Sequence, residues 1–301
     1  MFKNGHITCC PVCKNDNSDL DTIIGLSKEF GVPFYECSIC NHASVRDLTH
    51  GIENDSIPSN KKRNKLYVCT IDDMFDENTS ILEVGPGDYR LVAGLIDCGF
   101  HNITTIDVGI NFASGGRGTS LLKWSVPVPK SPREVFEVSE KMHDIILNSQ
   151  KNCKFDLGIS LHSWEHSPDP ITMIKLIEKF CSDFVIEVPN GRATYADGYR
   201  QHAYGTILDV TVCPIEWKNK IFPLLPRGIK RGMGKGALVG GHYQIFNEDS
   251  LAWIAKNVLE KGRKYYIGVS IYNELGITLT TKRDLVRRLA GMPYRVIEVN
   301  T

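Results

Sequence analysis

The sequence has no net charge and no long apolar run. Its 301 residues include 35 basic and 35 acidic side chains, so the molecule as a whole has no net field to attract a polyanion or an anionic membrane. No apolar stretch approaches the ~20 residues that a bilayer-spanning helix needs, and the N-terminal MFKNGHITCC lacks the apolar segment of a signal peptide. We therefore expect a cytoplasmic protein without a membrane partner, in which electrostatic recognition is local.

The composition fits one large domain preceded by a small one. With 42% hydrophobic residues, the chain can bury a sizeable core. The polar stretch from His50 through Asn64 is typical of a linker. We therefore predict a small module with its linker over residues 1–60 and a larger domain over residues 61–301. The charge run from Lys61 to Lys65 is interpreted as an exposed, solvated face.

Four of the ten cysteines form two Cys-x-x-Cys pairs near the N-terminus, and these are Cys10, Cys13, Cys37 and Cys40. Two such pairs supply the four thiolates that tetrahedral structural zinc prefers, and a closed sphere leaves no position for a reactive water. We predict a structural zinc site, with an extra hairpin or helical turn between Asp16 and Phe34. Coincidental or redox-active cysteines are the alternative, and neighbouring residues that could replace a ligand are His6, Cys9 and His42.

A glycine turn follows a short apolar run at Ile81–Asp88, which reads ILEVGPGD. The apolar residues suit a buried parallel strand, and the glycines remove Cβ atoms where the backbone turns sharply and approaches a ligand. Apolar residues at helical spacing follow, which predicts a strand, a turn and a helix that Gly99 ends. A dinucleotide fingerprint has a third glycine at the position of Arg90, so a nicotinamide or flavin site is disfavoured.

Polar side chains also follow the next predicted strands. Asp107 ends a β-branched run 20 residues after Gly87, where a carboxylate can accept both hydroxyls of a ribose, although a solvated strand end is the alternative. The run Phe155–Leu161 predicts another buried strand, and Asp169 with Pro170 predicts a capped helix start. Ligands of parallel sheets lie beyond the carboxyl ends of the strands, so the residues expected to face a ligand are Ser160, Leu161, His162 and Glu165.

Three residues are candidates for a general base. Glu165 and His166 follow the strand at Phe155–Leu161, although either could instead tie the loop to its own backbone. His242 precedes a predicted helix from about Glu248 to Lys261; it is the leading candidate only through the family resemblance of this segment, since a lone histidine in a turn is more often structural. The segment at about 191–241 carries eight basic and three acidic residues. This local excess predicts a substrate-facing insertion that binds a phosphate-bearing ligand, and the alternative is a basic loop without a ligand.

The motifs together resemble the class I S-adenosylmethionine-dependent methyltransferases. Glu83, Gly85 and Gly87 match the Glu/Asp-x-Gly-x-Gly-x-Gly of motif I, with Tyr89 in place of the last glycine. The Phe-Asp strand, the Glu-His pair, the Asp-Pro helix start, the Val-Pro-Asn at residues 188–190 and a histidine before Phe-x-x-x-Ser follow in the family's order. The resemblance implies a Rossmann-like seven-stranded α/β core with helices on both faces. It also implies cofactor binding by Glu83, Gly85, Gly87, Asp107, Ser160, Leu161 and His162.

A zinc ribbon ahead of such a core is similar to the sugar C-methyltransferases of deoxysugar nucleotide biosynthesis. The resemblance implies methyl transfer to a small, phosphorylated or nucleotide-linked carbohydrate. Some ribosomal RNA guanine methyltransferases share this arrangement, so an RNA substrate is the first alternative. A non-catalytic zinc-ribbon interaction protein with a decayed cofactor loop is the second, and Tyr89 is its support. The sequence makes no prediction of the oligomeric state.

Overall fold

The computed structural model describes a large part of the chain, and every structural statement below refers to that part. The residues described are 2–3, 6–15, 23–26, 33–45, 61–87, 89–108, 122–126, 154–167, 169–189, 244–270, 276–290 and 294–301. The predicted basic insertion at 191–241 and the candidate base His242 lie outside the described residues.

Strands and helices are interspersed along the described part of residues 61–301. In chain order the strands of the described residues are β1 (Phe2–Lys3), β2 (His6–Ile7), β3 (Ile23–Leu26), β4 (Pro33–Glu36), β5 (Ala43–Val45), β6 (Ile81–Val84), β7 (Ile103–Val108), β8 (Leu122–Val126), β9 (Phe155–Leu161), β10 (Cys181–Pro189), β11 (Gln244–Ile245), β12 (Lys264–Ser270), β13 (Gly276–Thr280) and β14 (Tyr294–Asn300). The helices are α1 (Lys61–Met74), α2 (Arg90–Asp97), α3 (Pro170–Phe180), α4 (Glu248–Asn257) and α5 (Arg283–Ala290), and a 3-10 turn spans Trp164–His166.

Among the residues that the structure describes, the main sheet has eight strands in the order β14-β12-β13-β10-β9-β6-β7-β8. The five strands from β10 to β8 run parallel, whereas β13 is antiparallel to β10 and β12, and β14 is antiparallel to β12. The chain runs outward from β6 through β7 to β8 and then returns to build the other half from β9. The strand order therefore reverses between β6 and β9, which is the switch point where open α/β sheets bind ligands.

Helices cover both faces of this sheet, as predicted. Along β10, Phe184 and Ile186 belong to one apolar cluster with α3 and α4, and Val185 belongs to the other with α1, α2 and α5. This alternation is the two-residue period of a strand that is buried on both sides. The Rossmann-like seven-stranded α/β prediction is confirmed, and β14 adds an eighth strand at the edge that the sequence analysis did not foresee.

The cysteine-bearing segment forms a second, smaller sheet. Its order is β11-β5-β4-β3, and β3 and β4 form an antiparallel hairpin between the two cysteine pairs, so the hairpin is the one present of the two alternatives that the sequence left open. The edge strand β11 comes from much later in the chain, since Gln244 pairs with Ser44 and Ile245 with Ala43. The small sheet is therefore completed by a segment that lies beyond β10.

Two helix boundaries differ from the sequence predictions. Helix α1 includes the last residues of the predicted linker, and its buried apolar residues are only Tyr67, Val68 and Ile71, which is too few to give a strong helical period. Helix α4 ends at Asn257 instead of Lys261, because the chain leaves the helix to bury Leu259. No helix among the described residues is both long and apolar enough to cross a membrane.

The predicted start of α3 can be tested at its N-cap. The Asp169 carboxylate accepts from the Thr172 amide at 3.4 Å and from the Thr172 hydroxyl at 2.8 Å. We expect Asp169→Ala to lower the free energy of unfolding by about 1 kcal/mol, because the amide loses its partner. Asp169→Asn should retain most of this stability in urea denaturation, since asparagine also caps. An equal loss in both variants would mean that the charge facing Lys14 matters more than the cap.

Candidate functional site

The turn after β6 has a left-handed backbone at each of its three motif positions. The φ angles are +73° at Gly85, +54° at Gly87 and +58° at Tyr89. A Cβ at Gly85 would lie 2.1 Å from the Ser163 hydroxyl oxygen, whereas a Cβ at Gly87 would meet nothing within 4 Å. Gly85 is therefore required by a close contact, and Gly87 leaves its backbone open on one side.

Tyr89 adopts the conformation that a third glycine would adopt. The left-handed region costs a residue with a Cβ roughly 1–2 kcal/mol, so another interaction must hold it there. The Tyr89 side chain is 6% exposed and packs into the apolar cluster of α1 and α2. Tyr89 thus gives the turn the backbone conformation that a third glycine would give, and its buried side chain adds an apolar contact.

The loop after β9 lies directly against this turn. The Ser163 hydroxyl lies 3.3 Å from the carbonyl oxygen of Val84 and 3.2 Å from that of Gly85. The Ser160 hydroxyl, fully buried, donates to the same Val84 oxygen at 3.2 Å. These contacts bring the predicted residues on β6 and β9 together at the switch point. Ser163, which the sequence analysis did not select, makes the contact that requires Gly85.

Three further predicted residues lie at the same edge of the sheet. The amide of Gly85 donates to the carbonyl of Ile106 at 2.8 Å, so the backbone of Asp107 follows immediately beside the glycine turn. The Asp107 side chain lies outside the described part of the chain. Glu83 is 3% exposed within β6, and Leu161 at the end of β9 is partly buried.

A cluster of charged side chains lies beside the turn at the ends of β9 and β10. His162 Nε2 is 3.0 Å from Glu187 Oε1, and His162 Nδ1 is 3.4 Å from Glu165 Oε1. Arg63 Nη1 is 2.7 Å from His162 Nε2 and 3.4 Å from Glu187 Oε1. The Tyr67 hydroxyl donates to Glu187 Oε2 at 2.7 Å. We call these five residues the His162 cluster.

The His162 cluster is largely withdrawn from solvent. The side chains of Glu187 and Glu165 are 3% and 1% exposed, and that of His162 is 24% exposed. His162 has a φ of +53°, an uncommon conformation for a non-glycine residue and one that concentrates at functional sites. The imidazole is thus the most exposed side chain of the cluster, and it lies between two buried carboxylates.

The charges of the cluster favour a protonated imidazole. Burial and the Arg63 guanidinium lower the pKa of His162, but the hydrogen bonds to Glu165 and Glu187 outweigh them, so that the pKa is raised above its ordinary value. Burial raises the pKa of Glu187, but the hydrogen bond from His162 and the Arg63 charge lower it by a larger amount, so the pKa is below its ordinary value. With His162 protonated, the two cations balance the two carboxylates.

The contacts of Nε2 describe two protonation states. A neutral imidazole accepts at Nε2 from Arg63, whereas an imidazolium donates from Nε2 to Glu187. Both cannot hold at once, because one nitrogen cannot accept and donate through the same lone pair. The cluster can therefore take up or release one proton with only a change of partner for the Arg63 N–H.

Three members of the cluster were missed in the sequence. Arg63 was assigned to a solvated face, and that assignment is wrong, since its side chain is 15% exposed and faces Glu187. Tyr67 lies one helical turn after Arg63 on α1 and is fully buried. Glu187 stands inside the apolar run FVIEV, and a carboxylate within a buried strand needs a partner. That signal was available, although the partner's identity was not.

The predicted bases have different outcomes. Glu165 is buried, and its carboxylate lies 3.4 Å from the His162 imidazole. His166 belongs to the 3-10 turn, and its side chain is not among those that the structure describes. The roles of Glu165, His166 and His242 stay predictions.

The four predicted metal ligands converge at a second site. The sulfur atoms of Cys10, Cys13, Cys37 and Cys40 all lie within 4.8 Å of one another. Two pairs are 3.6 Å and 3.5 Å apart, close to the edge of about 3.8 Å that a zinc tetrahedron with 2.3 Å Zn–S bonds requires. The cysteines are positioned to hold a metal ion.

Two matching turns present these sulfur atoms. Lys14 donates its amide to the carbonyl of Cys10, and Asn41 donates its amide to the carbonyl of Cys37. Both donors have positive φ, of +60° and +54°, so each turn has the same form. We call the two turns the first and second knuckles.

Without a metal ion, this packing disfavours thiolates at Cys10 and Cys13. The hydrogen bond to Cys37 and burial raise the pKa of Cys10, and burial raises the pKa of Cys13 to about 12. A zinc ion bound by four thiolates would offset this cost, because a coordinating thiol is deprotonated by the ion's own charge. The donor set and the spacing both fit structural zinc.

Comparisons with known proteins give only distant likenesses. No family model and no curated protein matches the chain. Among solved structures, the plantazolicin methyltransferase BpumL with a desmethylPZN analog and SAH is 11% identical, with 75% of this chain and 87% of that chain covered and a TM-score of 0.41. A cyclopropane-fatty-acyl-phospholipid synthase-like protein from Lactobacillus casei is 15% identical, with 69% and 71% covered and a TM-score of 0.36. Likenesses this distant carry no functional conclusion.

The metal site predicts one zinc ion per chain. We expect Cys40→Ser to weaken zinc binding by roughly 100-fold or more, because a closed four-thiolate sphere loses one ligand. Cys69→Ser is the matched control, since Cys69 is exposed and lies on α1. Elemental analysis and competition with a chromogenic chelator measure both. Wild-type zinc affinity in Cys40→Ser would contradict the assignment.

The His162 cluster predicts a pH dependence of stability. Because the pKa of His162 in the folded protein is raised above its ordinary value of 6.5, the imidazolium stabilises the folded state fully below pH 6.5. This contribution is lost as the pH rises through the folded-state pKa. The stability difference between wild type and His162→Gln in urea should therefore shrink from pH 6 to pH 9.

The exposed His101 provides the control for this measurement. His101→Gln removes a histidine outside the cluster and should not reproduce the change seen for His162→Gln. A difference for His162→Gln that grows with pH would show that the neutral imidazole is the stabilised form.

Proposed function

We propose that the protein is a methyltransferase that uses S-adenosylmethionine as its methyl donor. The observation that carries the proposal is the positive φ at Gly85, Gly87 and Tyr89. These positions are the three glycines of the motif I pattern that the sequence resembles. The turn also stands at the switch point of a parallel sheet, where ligands of this architecture bind. The proposal extends to Asp107, which we assign to the ribose hydroxyls.

The cofactor supplies an activated methyl group, so the protein's own residues chiefly align the acceptor and accept its proton. We assign the proton acceptor to the neutral form of His162, in which Nε2 accepts from Arg63 and which is populated above the raised pKa of this residue; its imidazole is the most accessible member of the cluster. Proton transfer to Nε2 turns that atom into a donor to Glu187, and the Arg63 N–H then bonds to the same carboxylate. Glu165 and Tyr67 act as positioning residues through His162 and Glu187.

For the acceptor we propose a small, phosphate-bearing molecule such as a nucleotide-linked carbohydrate. Its support lies in the sequence alone, in the eight basic and three acidic residues between Asn190 and Gly240. A local excess of this kind suits an anionic ligand in a chain without net charge. An RNA acceptor would bind with a steep dependence on salt, whereas a small acceptor would not.

A matched pair of glycine variants tests the cofactor site. Gly87 and Gly262 are both exposed, both have positive φ, and a Cβ at either position would meet nothing within 4 Å. Alanine should cost each a similar amount of stability, roughly 1–2 kcal/mol, because the backbone strain is the same in kind. Only Gly87→Ala would place a methyl group against the cofactor.

We expect wild type and Gly262→Ala to bind S-adenosylhomocysteine with equal affinity in calorimetry. Gly87→Ala should bind it about tenfold more weakly or worse, since a loss of 1.4 kcal/mol already gives this factor. Absence of binding by wild type at millimolar ligand would overturn the proposal in favour of a non-catalytic protein. Equal affinities in all three proteins would place the ligand elsewhere.

A further inference from the structure

The small sheet around the four cysteines contacts the loop that follows β9 through the buried side chain of Gln244. Gln244, on the strand that completes the small sheet, is 1% exposed. Its Oε1 lies 2.7 Å from His42 Nε2, and its Nε2 donates to the carbonyl of Ser167 at 3.0 Å. Because the amide nitrogen is the donor to Ser167, Oε1 is the acceptor, so His42 carries its proton on Nε2.

The Gln244 amide thus bridges His42 and Ser167, and each of these residues makes a further backbone hydrogen bond. The His42 carbonyl accepts from the amide of Cys37 at 2.8 Å, so His42 is bonded directly to a predicted metal ligand in the second knuckle. The Ser167 amide donates to the carbonyl of Trp164 at 3.0 Å and closes the 3-10 turn that carries Glu165. Four hydrogen bonds therefore join a predicted metal ligand to the 3-10 turn, which carries the Glu165 carboxylate that faces His162.

An apolar contact runs parallel to these hydrogen bonds. The ring of Phe246 lies 4.8 Å from that of His42 and 6.1 Å from that of Trp164, measured between centroids. Trp164 and Phe246 are both fully buried. Side chains in such a packed core have few alternative positions, so a shift of the second knuckle is transmitted to the 3-10 turn.

The first knuckle holds the far end of the same segment. Lys14 Nζ donates to the carbonyl of Pro11 at 2.8 Å and lies 3.3 Å from Asp169 Oδ1. This ion pair is partly exposed and weak on its own. It nevertheless places the two knuckles at the two ends of the stretch from Ser167 to Asp169.

We infer that Gln244 is a positioning residue, which makes the order of the loop after β9 (residues 162–169) depend on metal bound at the four cysteines. Loss of the metal frees the knuckles, and the loop then loses the partner of the Ser167 carbonyl. The same loop supplies His162 and holds the Gly85 turn through Ser163. Metal occupancy would therefore govern whether the candidate site is formed.

Hydrogen–deuterium exchange tests the inference without any ligand. Zinc is removed from the wild-type protein with a thiol-reactive mercurial followed by a chelator and thiol, and exchange is followed in peptides from 160–169 and from β7. We expect exchange in 160–169 to rise by about tenfold or more, which corresponds to the loss of one or two buried hydrogen bonds. Exchange in β7 should be nearly unchanged.

Variants separate the bridge from the metal itself. Gln244→Leu should retain one zinc ion and show the fast exchange in 160–169 while zinc is bound. Gln244→Glu keeps an acceptor for His42 but loses the donor to Ser167, and it should behave like Gln244→Leu. Asp249→Ala is the control, because it removes the contact from Asn41 of the second knuckle to α4 and leaves the bridge intact. Its exchange should equal that of wild type.

Two outcomes overturn the inference. One is unchanged exchange in 160–169 after zinc removal, and the other is wild-type exchange in both zinc-bound Gln244 variants. A second readout, which rests on the proposed function, is S-adenosylhomocysteine binding, expected to weaken about tenfold in zinc-free wild type and in Gln244→Leu. If exchange responds but zinc-bound wild type never binds this ligand, the proposed function fails while the coupling stands.

Discussion

The contact between the loop after β9 and the glycine turn after β6 is the constraint on which the candidate site depends. A Cβ at Gly85 would lie 2.1 Å from the Ser163 oxygen, so the two segments approach more closely than any residue other than glycine would allow at this position. The contact lies at the point where the strand order reverses, and two parallel strands end side by side there. The other parts of the site lie around this contact. The amide of Gly85 donates to the carbonyl of Ile106, just before Asp107, and His162 directly precedes Ser163.

Much of this arrangement was predictable because it is local in sequence. The turn at Gly85 and Gly87, the strand Phe155–Leu161 and the cap at Asp169 each have a short signature in which neighbouring residues agree. The signature of the paired cysteines is equally local, and the length between them indicated an extra hairpin or helical turn without deciding between the two. The edge strand β14 had no such signature, since its apolar residues are only partly buried.

The charged cluster was not predictable, because its partners are distant along the chain. Tyr67 and Glu187 are separated by 120 positions, and no local pattern says which carboxylate a helix will face. Arg63 resembled any basic residue of a polar stretch, and the few buried residues of α1 concealed the helix that carries it. Within the cluster, only Glu187 could be recognised from the sequence as needing a partner, because a carboxylate inside the apolar run FVIEV must be paired when it is buried.

The edge strand that completes the small sheet also affects the order in which the chain can fold. Residues 43–44 find their β-partners at residues 244–245, so the sheet around the cysteines cannot close until the ribosome has delivered most of the polypeptide. Contacts between such remote positions form late and slow the folding reaction. Until then only three strands of this sheet, β3, β4 and β5, are available around the four thiols.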